Sequence, residues 1–414
     1  MDQYRPQLDW IESQQGTMLA RLREWAEINS GSRNVRGLTR MCEVLEQAFA
    51  PLGDAVDVIP LPPVQEIGDD GNAKELALGP ALRVVKRAGA SRRVLLAGHM
   101  DTVFGEDHPF QSVRDIGSGR LNGPGVADLK GGLVVMLSAL QALEASPLAG
   151  QLGWEVLINP DEEIGSPGSA GLLIESARRA HVGMVYEPSL PDGTLVGARK
   201  GSGNFTLTVR GRAAHAGREH HLGRNAIAAL ADAVSAVDAL NGARDGITFN
   251  VGRVIGGGPV NVVPDLAICR FNVRIARKDD MPWVDSELSA IVERLNGRDG
   301  ITAALHGGFT RVPKPLTPEI EGLFGFLRDC GGTLGIDLSL KPTGGCCDGN
   351  NLAAAGLTNL DTLGVRGGQI HSSDEFVIVD SLVERAQLSA LALMRMAAGD
   401  FAWPTARQAE EPAQ

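Results

Sequence analysis

The sequence predicts an α/β fold, a mostly parallel sheet covered by helices, interrupted by an inserted βαββαβ unit whose sheet is of a different kind. Three observations lead there. At 414 residues the chain exceeds what one hydrophobic core usually organises, so two domains are expected. Between residues 92 and 188, short runs of continuously apolar residues alternate with helical segments, the pattern of parallel strands buried on both faces. From residue 204 onward, apolar and polar residues alternate along each strand instead, as in a sheet with one wet face.

The elements follow in order. The first 40 residues read as helix, with Leu8, Ile11, Met18, Leu19, Leu22 and Trp25 at near-helical spacing. RRVLLAGHMD (92–101) is a strand, and DLKGGLVVMLSALQALEAS (128–146) is a helix. GWEVLINP (153–160) is a strand, SAGLLIESARRA (169–180) a helix and VGMVYEP (182–188) a strand. The alternating pattern then appears in NFTLTVRGRAAH (204–215) and LAICRFNVRIA (266–276). Between 203 and 308 the order is strand, helix (224–240), strand (247–255), strand (264–276), helix (281–296), strand (301–307), which is that of a ferredoxin-like unit. The α/β pattern resumes with a helix near 317–331, a glycine-rich stretch at 343–351 and a final helix near 380–397. Residues 1–200 and 310–414 are therefore expected to form one domain and 201–309 a second. The tail from Pro404 is expected to fray.

Composition removes several functions. Hydrophobic residues make up 43% and charged residues 21%, as in a globular protein. A net charge of -11 argues against a nucleic-acid partner, although local arginines can still capture an anionic substrate. The cysteines, Cys42, Cys269, Cys330, Cys346 and Cys347, are odd in number and form no CxxC pair. Neither a disulfide framework nor a thiolate metal site is indicated. MDQYRPQLDWIESQ has no basic stretch leading into an apolar run, and no 18-residue apolar span occurs. A cytoplasmic location without membrane association is the expectation.

Several polar residues stand where the ends of successive predicted strands meet loops. Open α/β sheets build their sites at the carboxyl ends of strands. GHMDT (98–102) offers His99, with Asp101 placed to accept its other ring N–H. GVADLKGG (125–132) puts Asp128 at a helix start, where a carboxylate is stabilised and free to bridge. NPDEEIGSPG (159–168) offers Asp161, Glu162 and Glu163; adjacent carboxylates suggest a metal ligand beside a base. VYEPS (185–189) adds Glu187 and GGQIHSSDE (367–375) adds His371. Hydrolysis of an amide needs an activated water, a polarised carbonyl and a proton shuttle, and two metals about 3.5–4 Å apart can supply the first two. Taken singly, each residue has an ordinary reading: a surface histidine, a solvated turn, a helix cap. Their recurrence at strand after strand favours a two-metal hydrolytic site.

At these residues the chain resembles the metallopeptidase family of bacterial glutamate carboxypeptidase, acetylornithine deacetylase, succinyl-diaminopimelate desuccinylase and aminoacylase. The likeness rests on GHMDTV, GPGVADLKGG, DEEIGSPGS, YEP, GRAAHAG, NVVPD and GGQIHSSDE, in family order, and spans about residues 20–400. The resemblance implies two zinc ions, with cobalt or manganese also acceptable to such a site. His99 and Glu187 would hold one, Glu163 and His371 the other, and Asp128 would bridge them. It implies Glu162 as general base, Asp101 as the group that orients His99, and a cis peptide bond at Asp128–Leu129. The inserted unit would be a lid and dimerisation domain, whose His215 reaches across a homodimer to stabilise the oxyanion. Asn261, Arg274 and Gly345 would bind a substrate carrying a free carboxylate.

Two departures bear on specificity. Position 187 is Glu, which within the family resembles the carboxypeptidase and deacylase branch rather than many aminopeptidases. A lysine that helps hold the glutamate side chain in a strict glutamate carboxypeptidase corresponds to Thr194, with Lys200 displaced nearby. Cys346 and Cys347 stand where small hydroxyl residues are usual. His108, His181, His220, His221 and His306 are read as structural or exposed residues without a role. The expected function is cleavage of an amide bond adjacent to a free carboxylate. The alternatives are an aminopeptidase or dipeptidase, an N-carbamoyl amino acid amidohydrolase, and a non-catalytic protein on the same fold.

Overall fold

The computed structural model describes residues 1–404, and the expectation for the tail beyond Pro404 lies outside them. The N-terminal segment is not one helix. It forms Arg5–Ser13 and Gln15–Ala26, then a stretch of loop, then Val35–Phe49. Asn34 starts the third helix by accepting a hydrogen bond from the Gly37 N–H. The helical spacing nevertheless identified the core face, since Leu8, Ile11, Met18, Leu22 and Trp25 are all buried.

The central sheet has the strand order Ala55–Ile59, Ala81–Lys86, Gly153–Asn159, Arg93–His99, Val182–Val185, Asn359–Leu360. The last four are mutually parallel, while Ala81–Lys86 runs antiparallel to both its neighbours. That strand was missed in the sequence because ALRVVK is short and carries two cations. His99 pairs with Asn159 and Ala97 with Val185, so three strands end together along one edge. The loops that follow them therefore open onto one place. Behind them, the helix Lys130–Glu144 is buried along nearly its whole length, in the same core as Ser381–Ala398.

Residues 201–311 form a four-stranded antiparallel sheet in the order Thr248–Gly256, Leu266–Ile275, Gly201–Arg210, Thr302–Arg311. Helices Ala226–Asp238 and Met281–Asn296 complete its separate core, which includes Phe205, Phe249, Phe271 and Leu288. This is the ferredoxin-like order expected from the alternating pattern. The last strand runs to Arg311, past the expected end at 307, with a register shift that skips Thr310 between Phe309 and Arg311. Gly307 and Gly308 had weakened the strand signal there.

Small sheets were not legible in the sequence. The hairpin Val64–Ile67 and Ala73–Leu76 reaches the inserted unit, where Asp69 pairs with Arg253 at 2.7 Å and Arg270 at 2.8 Å. Phe376–Ile378 pairs with Arg120–Asn122, which brings the loop carrying His371 beside the loop carrying Asp128. Leu195–Arg199 pairs with Leu340–Thr343 and so sets Arg199 beside the glycine-rich loop. Among the described residues no helix is long and apolar enough to cross a membrane.

Candidate metal centre and active site

The loops at the common strand edge converge five side chains. His99 Nε2 lies 3.2 Å from Asp128 Oδ1 and 3.8 Å from Glu187 Oε1. His371 Nε2 lies 3.4 Å from Asp128 Oδ2 and 3.1 Å from Glu163 Oε2. Asp128 thus faces a histidine with each oxygen, the arrangement of a bridging carboxylate. The Asp128–Leu129 bond is cis. His99 Nδ1 lies 3.0 Å from the Asp101 carbonyl oxygen and 3.2 Å from its Oδ1, which fixes the ring with Nε2 inward. Asp101 is itself fully buried and accepts from Ser32 Oγ at 2.7 Å and from the Glu162 and Glu163 N–H groups at 3.1 Å each.

Electrostatics separate these groups. Burial and the Asp128 charge push Glu163 up to about 8. Burial pushes Glu162 up to about 7 although Arg311 and His99 pull it down, and burial raises Glu187 well above the ordinary range. Burial opposes charge on His99, but hydrogen bonds to Asp101 and Asp128 outweigh it and raise this histidine. Hydrogen bonds to Asp128 and Glu163 raise His371 to about 11. So many carboxylates gathered away from water call for positive charge. Glu187 Oε1 is buried without a hydrogen-bond partner among the described residues. One donor atom each from His99, Asp128 and Glu163, and likewise from His99, Glu162 and Glu187, lie within 4.8 Å of one another. Imidazole and carboxylate donors at such spacing fit divalent cations, zinc among them.

The remaining expected residues divide. Arg274 is half-buried; its Nε donates to Asn272 Oδ1 at 2.8 Å and its Nη1 to Cys346 Sγ at 2.9 Å, so it meets the loop that carries Gly345. Gly345 is exposed, with Arg199 Nη1 within 3.7 Å of where a Cβ would stand. His215 and Asn261 are exposed and adjacent to each other through the Ala216 N–H to Asn261 carbonyl bond. No hydrogen bond or ion pair among the described residues joins them to the other site residues. They lie beyond Arg210 and Leu266, at the end of the inserted sheet opposite Arg274 and Arg311. Ten-residue strands separate the two ends, roughly 30 Å.

Sequence reasoning missed several residues. Glu375 accepts from the N–H groups of Gly125, Ala127 and Asp128 at 2.9–3.1 Å and so holds the loop of the bridging carboxylate. It closes the GGQIHSSDE motif, in which only His371 stood out as a candidate. Arg311 reaches Glu162 Oε1 at 2.8 Å, and nothing in TRVPK signals it. Arg199 binds Asp361 through two nitrogens at 2.9 and 2.7 Å, with Lys314 Nζ at 2.7 Å from the same carboxylate. It is Arg199, more than the neighbouring Lys200, that enters the interior. Thr194 is tied to Ser339 Oγ at 2.8 Å. His181 accepts from the Arg93 N–H and His108 from the Phe110 N–H, in keeping with structural roles.

Residues 95–395 match Peptidase family M20/M25/M40. Carboxypeptidase G2 of Pseudomonas sp. (strain RS-16) is 26% identical over 402 residues, covering 93% of this chain and 91% of that protein. Succinyl-diaminopimelate desuccinylase of Psychrobacter arcticus is 29% identical over 322 residues, 73% of this chain and 78% of that one. The structure of an M20 family metallo-carboxypeptidase from Sulfolobus solfataricus superposes with a TM-score of 0.72 at 16% identity, over 92% of this chain and 99% of that one. The clustering of these side chains, the fold that presents them and the match over most of the chain agree: this is a metal-dependent amide hydrolase belonging to peptidase family M20/M25/M40.

Proposed function

We propose that the protein is a carboxypeptidase or N-acyl-amino-acid deacylase that binds two zinc ions and cleaves the amide bond next to a free carboxylate. The observation that carries it is the convergence of His99, Asp128, Glu163, Glu187 and His371, with the Glu187 Oε1 atom buried without a hydrogen-bond partner among the described residues. His99 and Glu187 would hold one ion, Glu163 and His371 the other, and Asp128 would lie between. When bound, the ions would polarise the scissile carbonyl and acidify the attacking water.

Glu162 stands beside that cluster, where burial raises its carboxyl, and is placed to take a proton from the water and return it to the leaving amine. Asp101 keeps the His99 ring oriented. Arg274 offers a guanidinium to the substrate carboxylate from the wall that also carries Gly345. We place the catalytic unit in residues 1–200 and 310–414 and the lid in 201–309, extended by the strand end at Arg311. The distance of His215 and Asn261 from the site within one chain supports a homodimer in which His215 of the partner subunit faces the oxyanion. With no disulfide among the described cysteines, the cytoplasm remains the proposed compartment.

Hydrolysis of a panel of N-acyl amino acids and dipeptides by the zinc-loaded protein, with Glu162→Ala as control, tests this reading. Cleavage confined to substrates with a free α-carboxylate and lost in the variant is expected. Cleavage only of peptides with a free amino terminus would move the protein to the aminopeptidases, and release of ammonia and carbon dioxide from N-carbamoyl substrates alone to the amidohydrolases.

A further inference from the structure

Two arginines of the inserted sheet enter the active site from the two strands that flank Gly201–Arg210. Arg274 and Arg311 both stand in register with Ser202, at the end of the sheet that meets the catalytic unit. The register shift at Thr310 re-aims Arg311, as β-bulges near active sites do. Its guanidinium is almost wholly buried, with 5% of its side chain exposed. Nη2 lies 2.8 Å from Glu162 Oε1 and donates to the Glu162 carbonyl at 3.0 Å, to Ser166 Oγ at 2.8 Å and to Asp348 Oδ1 at 3.2 Å. Nη1 lies 3.6 Å from Cys346 Sγ, and the same sulfur lies 2.9 Å from Arg274 Nη1. Arg274, Cys346, Arg311 and Glu162 thus form an unbroken chain of contacts. It runs from the residue placed to bind the substrate carboxylate to the residue placed to move the proton.

We propose that Arg311 is a positioning residue for Glu162, and that Cys346 couples it to carboxylate binding at Arg274. The inference rests on the roles given above to Glu162 and Arg274. A thiol sulfur is a weak acceptor, so a carboxylate displaces it from Arg274. Cys346 is then left to Arg311 alone, whose other amine carries the Glu162 carboxylate. A substrate with a free carboxylate thereby sets the base, and one without it leaves the base unset. Arg274 sits on a strand braced by Asn272, which donates to Ser202 Oγ at 2.9 Å and the Gly203 carbonyl at 3.0 Å, so the sheet itself does not absorb the change.

Kinetics and thiol labelling of the zinc-loaded protein test the two parts. In Arg311→Gln, kcat is expected to fall at least tenfold with KM within about twofold and zinc content unchanged, and Arg311→Lys is expected to recover part of the loss. Loss of zinc, or no recovery with Lys, would reduce Arg311 to a structural clamp and overturn the positioning role. For the coupling, the rate of iodoacetamide labelling at Cys346 is read by peptide mass spectrometry. A mixture of N-acetyl amino acids should change it severalfold, and a mixture of their amides should not. The change should vanish in Arg274→Gln. Equal labelling with acids and amides would overturn the coupling. The labelling does not depend on turnover, so a wild-type protein that cleaves nothing, yet shows the acid-specific change, would sink the proposed reaction and leave the coupling standing.

Discussion

At the scale of residues, the site is a problem in placing negative charge. Asp128 is held well below the usual carboxylate range because hydrogen bonds from His371 and His99 outweigh its burial, while burial lifts Glu163 to about 8. In protein stripped of metal by a chelator, burial and the contact between Glu163 and His371 favour bound protons in the cluster. Metal binding must displace them, so zinc titration of the chelated protein at pH 7 should release protons. Calorimetry in two buffers of different ionisation enthalpy reads the number; equal heats in both would contradict it. Glu187→Gln keeps the volume but removes the charge of a proposed ligand, and the zinc content should drop by about one ion per chain, as mass spectrometry of the metal would show. Glu375→Ala strands three buried N–H groups. A loss of stability of at least ~1–3 kcal/mol in urea is expected.

Among the elements, the loops hold their geometry through buried ions and one turn that requires glycine. Burial would raise Asp361, but Arg199 and Lys314 overcome it and hold the carboxyl at about 2. Its value in the unfolded chain is about 3.9. The folded value is the lower, so the stabilisation is present above pH ~4 and is lost as the pH falls through about 2. Asp361→Asn leaves two buried cations uncompensated and should cost ~3–5 kcal/mol at neutral pH. That loss should shrink as urea melts are repeated toward pH 3; a difference independent of pH would count against the ionic account. Gly165 follows the turn Glu162–Ile164 at φ 96°, with Thr310 Oγ1 3.2 Å from the position of a Cβ. A side chain there meets both strain and the inserted sheet. The same turn and the strand carrying Arg311 are thus fitted to each other.

For the whole molecule, the decisive fact is the length of the inserted sheet. It places Arg274 and Arg311 at the active site and His215 at the opposite end. If a partner subunit supplies His215, then His215→Ala should cut turnover with zinc retained. Mixing it with Glu162→Ala should restore activity. Random exchange makes half the dimers mixed, each with one intact site, so about a quarter of wild-type activity should return. Two inactive variants that stay inactive after exchange would place His215 outside the reaction.

By itself the sequence determined the alternation of the main strands and helices, the core face of the first helices, and the side chains that converge as candidate metal ligands. These are local: periodicity reports burial within one element, and His99 and Glu187 stand at or just beyond the ends of strands that short apolar runs reveal, while short motifs carry the others. Glu162 and Asp101 were legible for the same reason. The tertiary structure alone decided that Arg311 grips Glu162 from 149 residues away and that Glu375 holds the Asp128 loop from 247 residues away. It alone paired Arg199 with Asp361 across 162 residues and set His215 a sheet length from the chemistry. Arginines and acids in polar segments look alike along a chain. What distinguishes them is the buried partner that each finds when distant segments fold together, and no periodicity carries that information.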